Sequence, residues 1–230
     1  MTRVKICGIR TLEHADAALD AGADFLGFNF YRPSHRYVEP AVAREIVAAC
    51  RERHGGPDRW QAVGVFVDEP HELVNEIAAT AVLDLVQLCG SESRAYAERV
   101  GRPVVRVVHV ERDGRLVASS GPASPGAATP DATAHGASRL LLDTKLDGHF
   151  GGTGATYAWD AVREVAADSF LAGGLTPDNV GAAVRAARPW AVDVSSGVER
   201  DKTKDATLIR AFIREVRHVD ACDHDARHAD

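Results

Sequence analysis

The sequence predicts an α/β protein: a single (β/α)8 barrel with a shortened or irregular crossover after the fifth strand. Three observations predict it. Eight short apolar, β-branched runs alternate with stretches whose apolar residues recur at helical spacing. The chain opens with strand, helix and strand within about thirty residues, a βαβ unit of the kind that builds parallel sheets. Right-handed crossovers repeated eight times favour closure into a barrel. A doubly wound open sheet is the lesser alternative, and no GxGxxG follows the first strand to support its dinucleotide-binding form.

The first strand is Val4-Lys5-Ile6-Cys7-Gly8-Ile9, stopped by glycine. Leu12, Ala15, Ala18 and Leu19 mark a helix, with Gly22 at its C-terminal end. The second strand, from Ala23 to Phe30, leads into a basic loop, Tyr31 to Tyr37. Pro40 opens a helix, a favoured first-turn position, and Gly55-Gly56-Pro57 breaks it. Strand three is Gln61–Val67; a helix from Pro70 to Ala81 follows, with Leu73, Val74, Ile77 and Ala78 on one face. Strand four is Leu85–Leu88, after which Ser91 is the expected cap of a helix through Tyr96. Strand five runs from Pro103 to Val110.

The alternation then fails. Ser119 to Gly136 is rich in alanine, glycine, proline, serine and threonine and carries no helical stripe, which reads as an irregular crossover. Arg139–Asp143 is strand six, and a glycine-rich loop, Gly148–Gly154, leads to a helix from Tyr157 to Ala166. Phe170–Ala172 is strand seven; Thr176 and Pro177 are read as N-cap and N1 of the next helix. Ala191–Val194 is strand eight, and a last helix spans about Asp205 to Val216. The expected barrel domain is residues 1–219, with a polar, frayed tail over 220–230.

With 230 residues and 45% hydrophobic content the chain can bury one large core. A net charge of -6 argues against a nucleic-acid surface, and no apolar run is long enough to span a bilayer. Cys7, Cys50, Cys89 and Cys222 form no CxxC pair and no zinc spacing, so no metal or cofactor is expected. Reduced thiols and the lack of a signal-like start suggest a cytoplasmic protein. The expected partner is a small-molecule substrate, with no nucleic acid or membrane, and the chain acts as a monomer or homodimer.

Ligands bind in such folds where the strands end. Gly173-Gly174 ends strand seven and Ser195-Ser196-Gly197 ends strand eight. Loops at these two places frequently hold a phosphate, which glycine N–H groups and serine hydroxyls suit. Cys7 ends strand one: a buried cysteine is most often a small hydrophobe, but this position favours a reactive thiol, given a neighbour that stabilises the thiolate. Asp143 ends strand six, where it is either a loop cap or a proton donor kept neutral by desolvation. Arg36, in the basic loop, has the fork that suits a planar carboxylate, although an exposed arginine is usually only solvated surface.

The segments VKICGI, ADFLGFNF with SHRYV, VGVFVDE, LVQL, LLDTKL with HFGGTG, LAGGLTPDNV and VDVSSGVE with Lys204-Asp205 span nearly the whole chain. In their order and spacing the sequence resembles phosphoribosylanthranilate isomerase, the tryptophan-pathway barrel enzyme. The resemblance implies an Amadori rearrangement of N-(5-phosphoribosyl)anthranilate to 1-(2-carboxyphenylamino)-1-deoxyribulose 5-phosphate. It implies that Asp143 protonates the ring oxygen and Cys7 takes the C2 proton. Arg36 would hold the anthranilate carboxylate and Asp193 would hold a sugar hydroxyl or tune the site, with Gly152 and Gly154 in a loop covering the sugar. Two departures stand out. Cys89 replaces a histidine usual in the family, and Arg200-Asp201-Lys202-Thr203 replaces a segment that commonly holds a proline-glycine turn. The rivals are a related sugar-phosphate isomerase or epimerase and a catalytically silent phosphate-binding barrel.

Overall fold

The structure, a computed structural model, describes residues 1–117, 132–144 and 157–227. Eight strands form the barrel: β1 Arg3–Cys7, β2 Phe25–Asn29, β3 Gln61–Phe66, β4 Leu85–Leu88, β5 Val104–Val110, β6 Arg139–Thr144, β7 Phe170–Leu171 and β8 Ala191–Val194. Every neighbouring pair in this ring is parallel, and the β4–β5 and β8–β1 ladders complete the closure. The open-sheet alternative is thereby excluded. Between the strands lie α1 Leu12–Asp20, α2 Pro40–His54, α3 His71–Thr80, α4 Arg94–Ala97, α5 Arg163–Ala166 and α6 Val180–Ala187, and α7 Ala206–Arg227 follows β8.

Strand residues alternate between two cores. In β1, Val4 and Ile6 point outward to the helices, joining the larger cluster with Leu26, Phe66, Leu142 and Val192. The opposite parity fills the barrel with Phe25, Val63, Val105, Val107, Leu141, Phe170 and Ala191. The ladder register puts Lys5 level with Phe25 and Asp193, and Cys7 one layer higher, level with Gly27. The N-terminal end is plugged by aromatics: Phe170 lies 5.0 Å from Trp190, and the guanidinium of Arg139 sits 3.7 Å over the Trp190 ring. The opposite, C-terminal end is open.

The boundaries differ from the sequence reading in four instructive places. Leu73 is exposed on α3, whose buried stripe is carried by Val74 and Ala78. α4 is only four residues long and capped by Ser93, because Asp68 captures both the N–H and the hydroxyl of Ser91 (2.7 and 2.9 Å). α6 starts at Val180, not Thr176: the Asn179 side chain accepts from Thr176 N–H and donates to the Gly174 carbonyl, stapling an extra turn ahead of the helix. α7 runs to Arg227, beyond the expected helix end at about Val216, and Asp220 accepts from both the N–H and hydroxyl of Thr2. A 3-10 turn at Ala132–His135 precedes β6, while most of the preceding crossover falls outside the described residues.

Candidate active site

The open end holds a cavity of about 480 Å³. Its lining comes from the upper inward positions of the strands: Asn29, Val65, Gln87, Val107, His109, Asp143 and Asp193. It also comes from the loops that follow, with Arg36, Cys89, Gly173, Gly174, Ser195 and Ser196. The inward parity that fills the barrel with valine and phenylalanine lower down therefore delivers polar groups at the mouth.

A buried ion pair organises the floor. The Lys5 ammonium, 1% exposed, donates to Asp193 Oδ1 at 2.9 Å and to Gln87 Oε1 at 2.8 Å. Burial would lower the Lys5 pKa, but Asp193, by its charge and its hydrogen bond, together with Cys7 and Cys89 outweighs that and raises it. Burial pushes the Asp143 carboxyl up to about 6, helped by the Asp193 charge and opposed by the Thr144 N–H, which donates to it at 2.8 Å, and by Lys5. Asp143 is thus a carboxyl poised near neutrality at the cavity wall. A carboxyl at about 6 is still mostly ionised at pH 7.

Cys7 is 8% exposed at the end of β1, and its carbonyl accepts from the Ser195 hydroxyl at 3.2 Å. Burial raises its thiol pKa; Lys5, Lys204 and Arg36 pull it down, and Asp193 adds to the rise. Three cations therefore stand ready to stabilise a thiolate, yet in the unliganded protein desolvation prevails and the thiol is protonated at neutral pH. Cys89 also lines the cavity, its sulfur accepting from Gln87 Nε2 at 3.3 Å, and burial lifts its pKa to about 12. It is a neutral group at the cavity wall.

Arg36 reaches the cavity with one edge already occupied: Nε and Nη2 donate to the two oxygens of Glu199, each at 2.8 Å. Glu199 also accepts from Lys204 at 2.6 Å, and Lys204 donates to the Ser195 carbonyl at 2.8 Å. Both residues sit on a small hairpin, Glu199–Arg200 paired with Thr203–Lys204. Asp201 and Lys202 turn it at φ 48 and 61°, the combination a two-residue type I′ turn requires and glycine adopts without strain. Lys202→Gly is expected to raise stability by about 0.5–1 kcal/mol, the relief of roughly 1–2 kcal/mol of left-handed strain less the added chain entropy of glycine, read as a higher urea midpoint at unchanged slope.

The two late loops meet at the same mouth. Gly173, at φ 89°, lies so close to Thr144 that a Cβ would overlap its hydroxyl oxygen. Gly197 lets the turn after β8 touch the loop after β7, since a Cβ there would collide with the Leu175 carbonyl. Ser196–Val198 forms a 3-10 turn, whose leading N–H groups have no acceptor within the turn.

The structure brings Asp143, Arg36, Asp193, Gly173, Gly174, Ser195 and Ser196 to one cavity; Cys7, 8% exposed, and Gly197 are not among the residues that line it. Gly152 and Gly154 lie outside the described residues. The sequence reading passed over Lys5, Gln87, Glu199 and Lys204. For Lys5 a signal existed: a lysine inside an apolar strand, on the same face as Cys7. No cluster of metal-ligating side chains occurs among the described residues.

Proton transfer is the chemistry that such a mouth offers, and fold and site together place the chain among the (β/α)8 acid–base enzymes. Residues 4–215 match the family model described as N-(5'phosphoribosyl)anthranilate (PRA) isomerase. The N-(5'-phosphoribosyl)anthranilate isomerase of Moorella thermoacetica is 42% identical over 223 residues, covering 96% of this chain and 92% of its own. The phosphoribosyl anthranilate isomerase of Thermus thermophilus superposes with a TM-score of 0.76 at 35% identity, covering 95% of this chain and 100% of its own. A third structure, an isomerase in complex with reduced 1-(o-carboxyphenylamino)-1-deoxyribulose 5-phosphate, gives 0.70 at 33% identity, covering 95% and 100%. The chain belongs to the N-(5'-phosphoribosyl)anthranilate isomerase family, whose activity is an isomerisation in tryptophan biosynthesis.

Proposed function

We propose that this chain converts N-(5'-phosphoribosyl)anthranilate to 1-(2-carboxyphenylamino)-1-deoxyribulose 5-phosphate with Asp143 as general acid and Cys7 as general base. The observation that supports the reading is the floor pair Lys5–Asp193, whose charges act on both Asp143 and Cys7. Protonated Asp143 gives its proton to the ribose ring oxygen as the C1–O bond breaks, leaving an iminium. The Cys7 thiolate then removes the proton from C2, and the electron pair moves to the C1–C2 bond to give an enolamine. Tautomerisation to the ketone completes the Amadori rearrangement, with one proton taken up and one released.

The loops at Gly173-Gly174 and Ser195-Ser196-Gly197 hold the phosphate, with backbone N–H groups and hydroxyls as donors. Arg36 meets the anthranilate carboxylate, and Asp193, with Oδ1 taken by Lys5, offers its other oxygen to a sugar hydroxyl. All these groups come from one chain, so a monomer or a homodimer serves equally. The free cysteines suit a reducing, cytoplasmic setting.

The test is turnover of the substrate by the purified protein. Cys7→Ser, whose hydroxyl is far less acidic than a thiol, is expected to lower kcat at least a hundredfold while inhibition by inorganic phosphate stays unchanged. Undiminished kcat in this variant removes Cys7 from the mechanism.

A further inference from the structure

Glu199 is not needed by any step above, yet it is bound to more cationic groups than any other carboxylate at the mouth. Its two oxygens take the Nε and Nη2 donors of Arg36 in a complete fork, and the first oxygen also accepts from Lys204. Its side chain is 8% exposed, and the Lys204 side chain 1%. A guanidinium has a side edge, Nε with Nη2, and an end edge, Nη1 with the second Nη2 proton. Glu199 occupies the side edge. Among the described residues no hydrogen bond uses Nη1, so a ligand anion in the cavity meets Arg36 end-on.

Charge adds a second constraint. Arg36 and Lys204 bring two positive charges, and Glu199 returns one, leaving a net charge of one at this corner. His35, whose Nε2 lies 3.7 Å from Glu199, has its pKa lowered by burial and by Arg36, so it adds no charge at neutral pH. The Lys5–Asp193 pair at the floor cancels internally. One net positive charge, presented by a single planar edge, matches a singly charged planar carboxylate. A phosphoryl group carries nearly two charges at this pH.

We infer that Glu199 is the specificity-determining residue of the Arg36 corner: by filling the side edge of Arg36 and cancelling one of two cations, it makes the corner select a carboxylate over a doubly charged phosphoryl group. The inference rests on Arg36 holding the substrate's carboxylate. Glu199 acts through Arg36 and touches no reacting atom, so it is a positioning residue, and its loss changes KM more than kcat.

The experiment measures inhibition by two probes: the reduced product analogue with its ring carboxylate, and the same molecule with a phosphonate in that place. Glu199→Gln raises the corner's charge to two and is expected to shift the carboxylate-to-phosphonate affinity ratio at least tenfold toward the phosphonate. Glu199→Gln with Lys204→Met returns the charge to one and is expected to restore the wild-type ratio. Lys204→Met alone, which buries no unpaired ammonium, lowers the corner's charge to zero and is expected to shift the ratio at least tenfold toward the carboxylate; an unchanged ratio there also overturns the inference, should Glu199→Gln not fold. An unchanged ratio in Glu199→Gln, or a ratio still shifted in the double variant, overturns the inference. Arg36→Met separates the two levels. If it leaves carboxylate binding unaltered, the Arg36 assignment itself fails; if it weakens that binding while the Glu199 variants keep the wild-type ratio, only the role of Glu199 fails.

Discussion

Asp143→Asn is expected to lose at least two orders of magnitude in kcat and to become more stable at neutral pH. The two effects share one cause. Burial and the neighbouring Asp193 hold the Asp143 carboxyl at about 6, above its value in an unfolded chain. A group raised in this way leaves folding unpenalised below its unfolded pKa, near 4, and opposes folding increasingly as pH climbs through 6. Removing it is therefore expected to add about 2 kcal/mol in urea titrations at pH 8, with no difference from the wild type near pH 4. Asparagine keeps the acceptor for the Thr144 N–H, so no buried donor is orphaned. Destabilisation at pH 8 would show that the carboxylate is welcome in the folded protein and contradict its role as a poised acid.

The rate profile gives an independent check. The proposed mechanism needs Asp143 protonated and Cys7 ionised, although the thiol has the higher pKa. Below pH 6 the acid is present and kcat/KM rises tenfold per unit with the thiolate. Between the two pKa values each gain in thiolate is matched by a loss of protonated carboxyl, and kcat/KM is level. The active fraction on this plateau is small, because burial raises the Cys7 thiol above its ordinary value while the Asp143 carboxyl sits at about 6. The substrate's own phosphate titrates near pH 6 as well. Asp143→Asn separates the two sources: its residual kcat/KM is expected to climb straight through pH 6, whereas a break caused by the phosphate survives in the variant.

The fold was legible because its signal is local. Val4 and Ile6 against Lys5 and Cys7, or Leu140 and Leu142 against Leu141 and Asp143, show the alternation that assigns each strand two faces. The strand ends, and with them Cys7, Asp143 and Asp193, follow from that alternation. What failed was decided by side chains meeting at a distance. Ser91 has the composition of a cap, but Asp68 claims it from the preceding loop. Thr176-Pro177 reads as a helix start, and Asn179 delays it. Gln87 and Asp193 reach Lys5 from 82 and 188 residues away, and Glu199 reaches Arg36 across 163. No window of sequence contains such pairs. Only closing the barrel makes them neighbours.

Lys5→Met carries the largest expected loss of stability. Methionine matches the length of the lysine stem, so packing between Phe25 and the floor is nearly kept. What disappears is the counter-ion of a carboxylate that is 8% exposed. Breaking a buried pair from one side costs about 3–5 kcal/mol, because the surviving charge stays desolvated, and a protein of this size is expected to lose about 6–20 °C in Tm. Gln87 also loses the donor that its carbonyl oxygen accepts from. Lys5→Met/Asp193→Asn removes both charges and is expected to recover most of the stability, since replacing the whole pair avoids the lone buried charge. Turnover is not expected to recover with it. Lys5 lowers the pKa of Cys7 and of Asp143, whereas Asp193 raises both. The single variant therefore leaves an unopposed negative charge between the acid and the base, which favours the protonated acid but withholds the thiolate. The double variant abolishes that field but also the carboxylate oxygen proposed to meet a sugar hydroxyl. Stability and catalysis should thus part company between the two variants. A single variant as stable as the wild type at pH 8 would mean that Asp193 takes its counter-charge from Arg36 instead, and that Lys5 is only filling space.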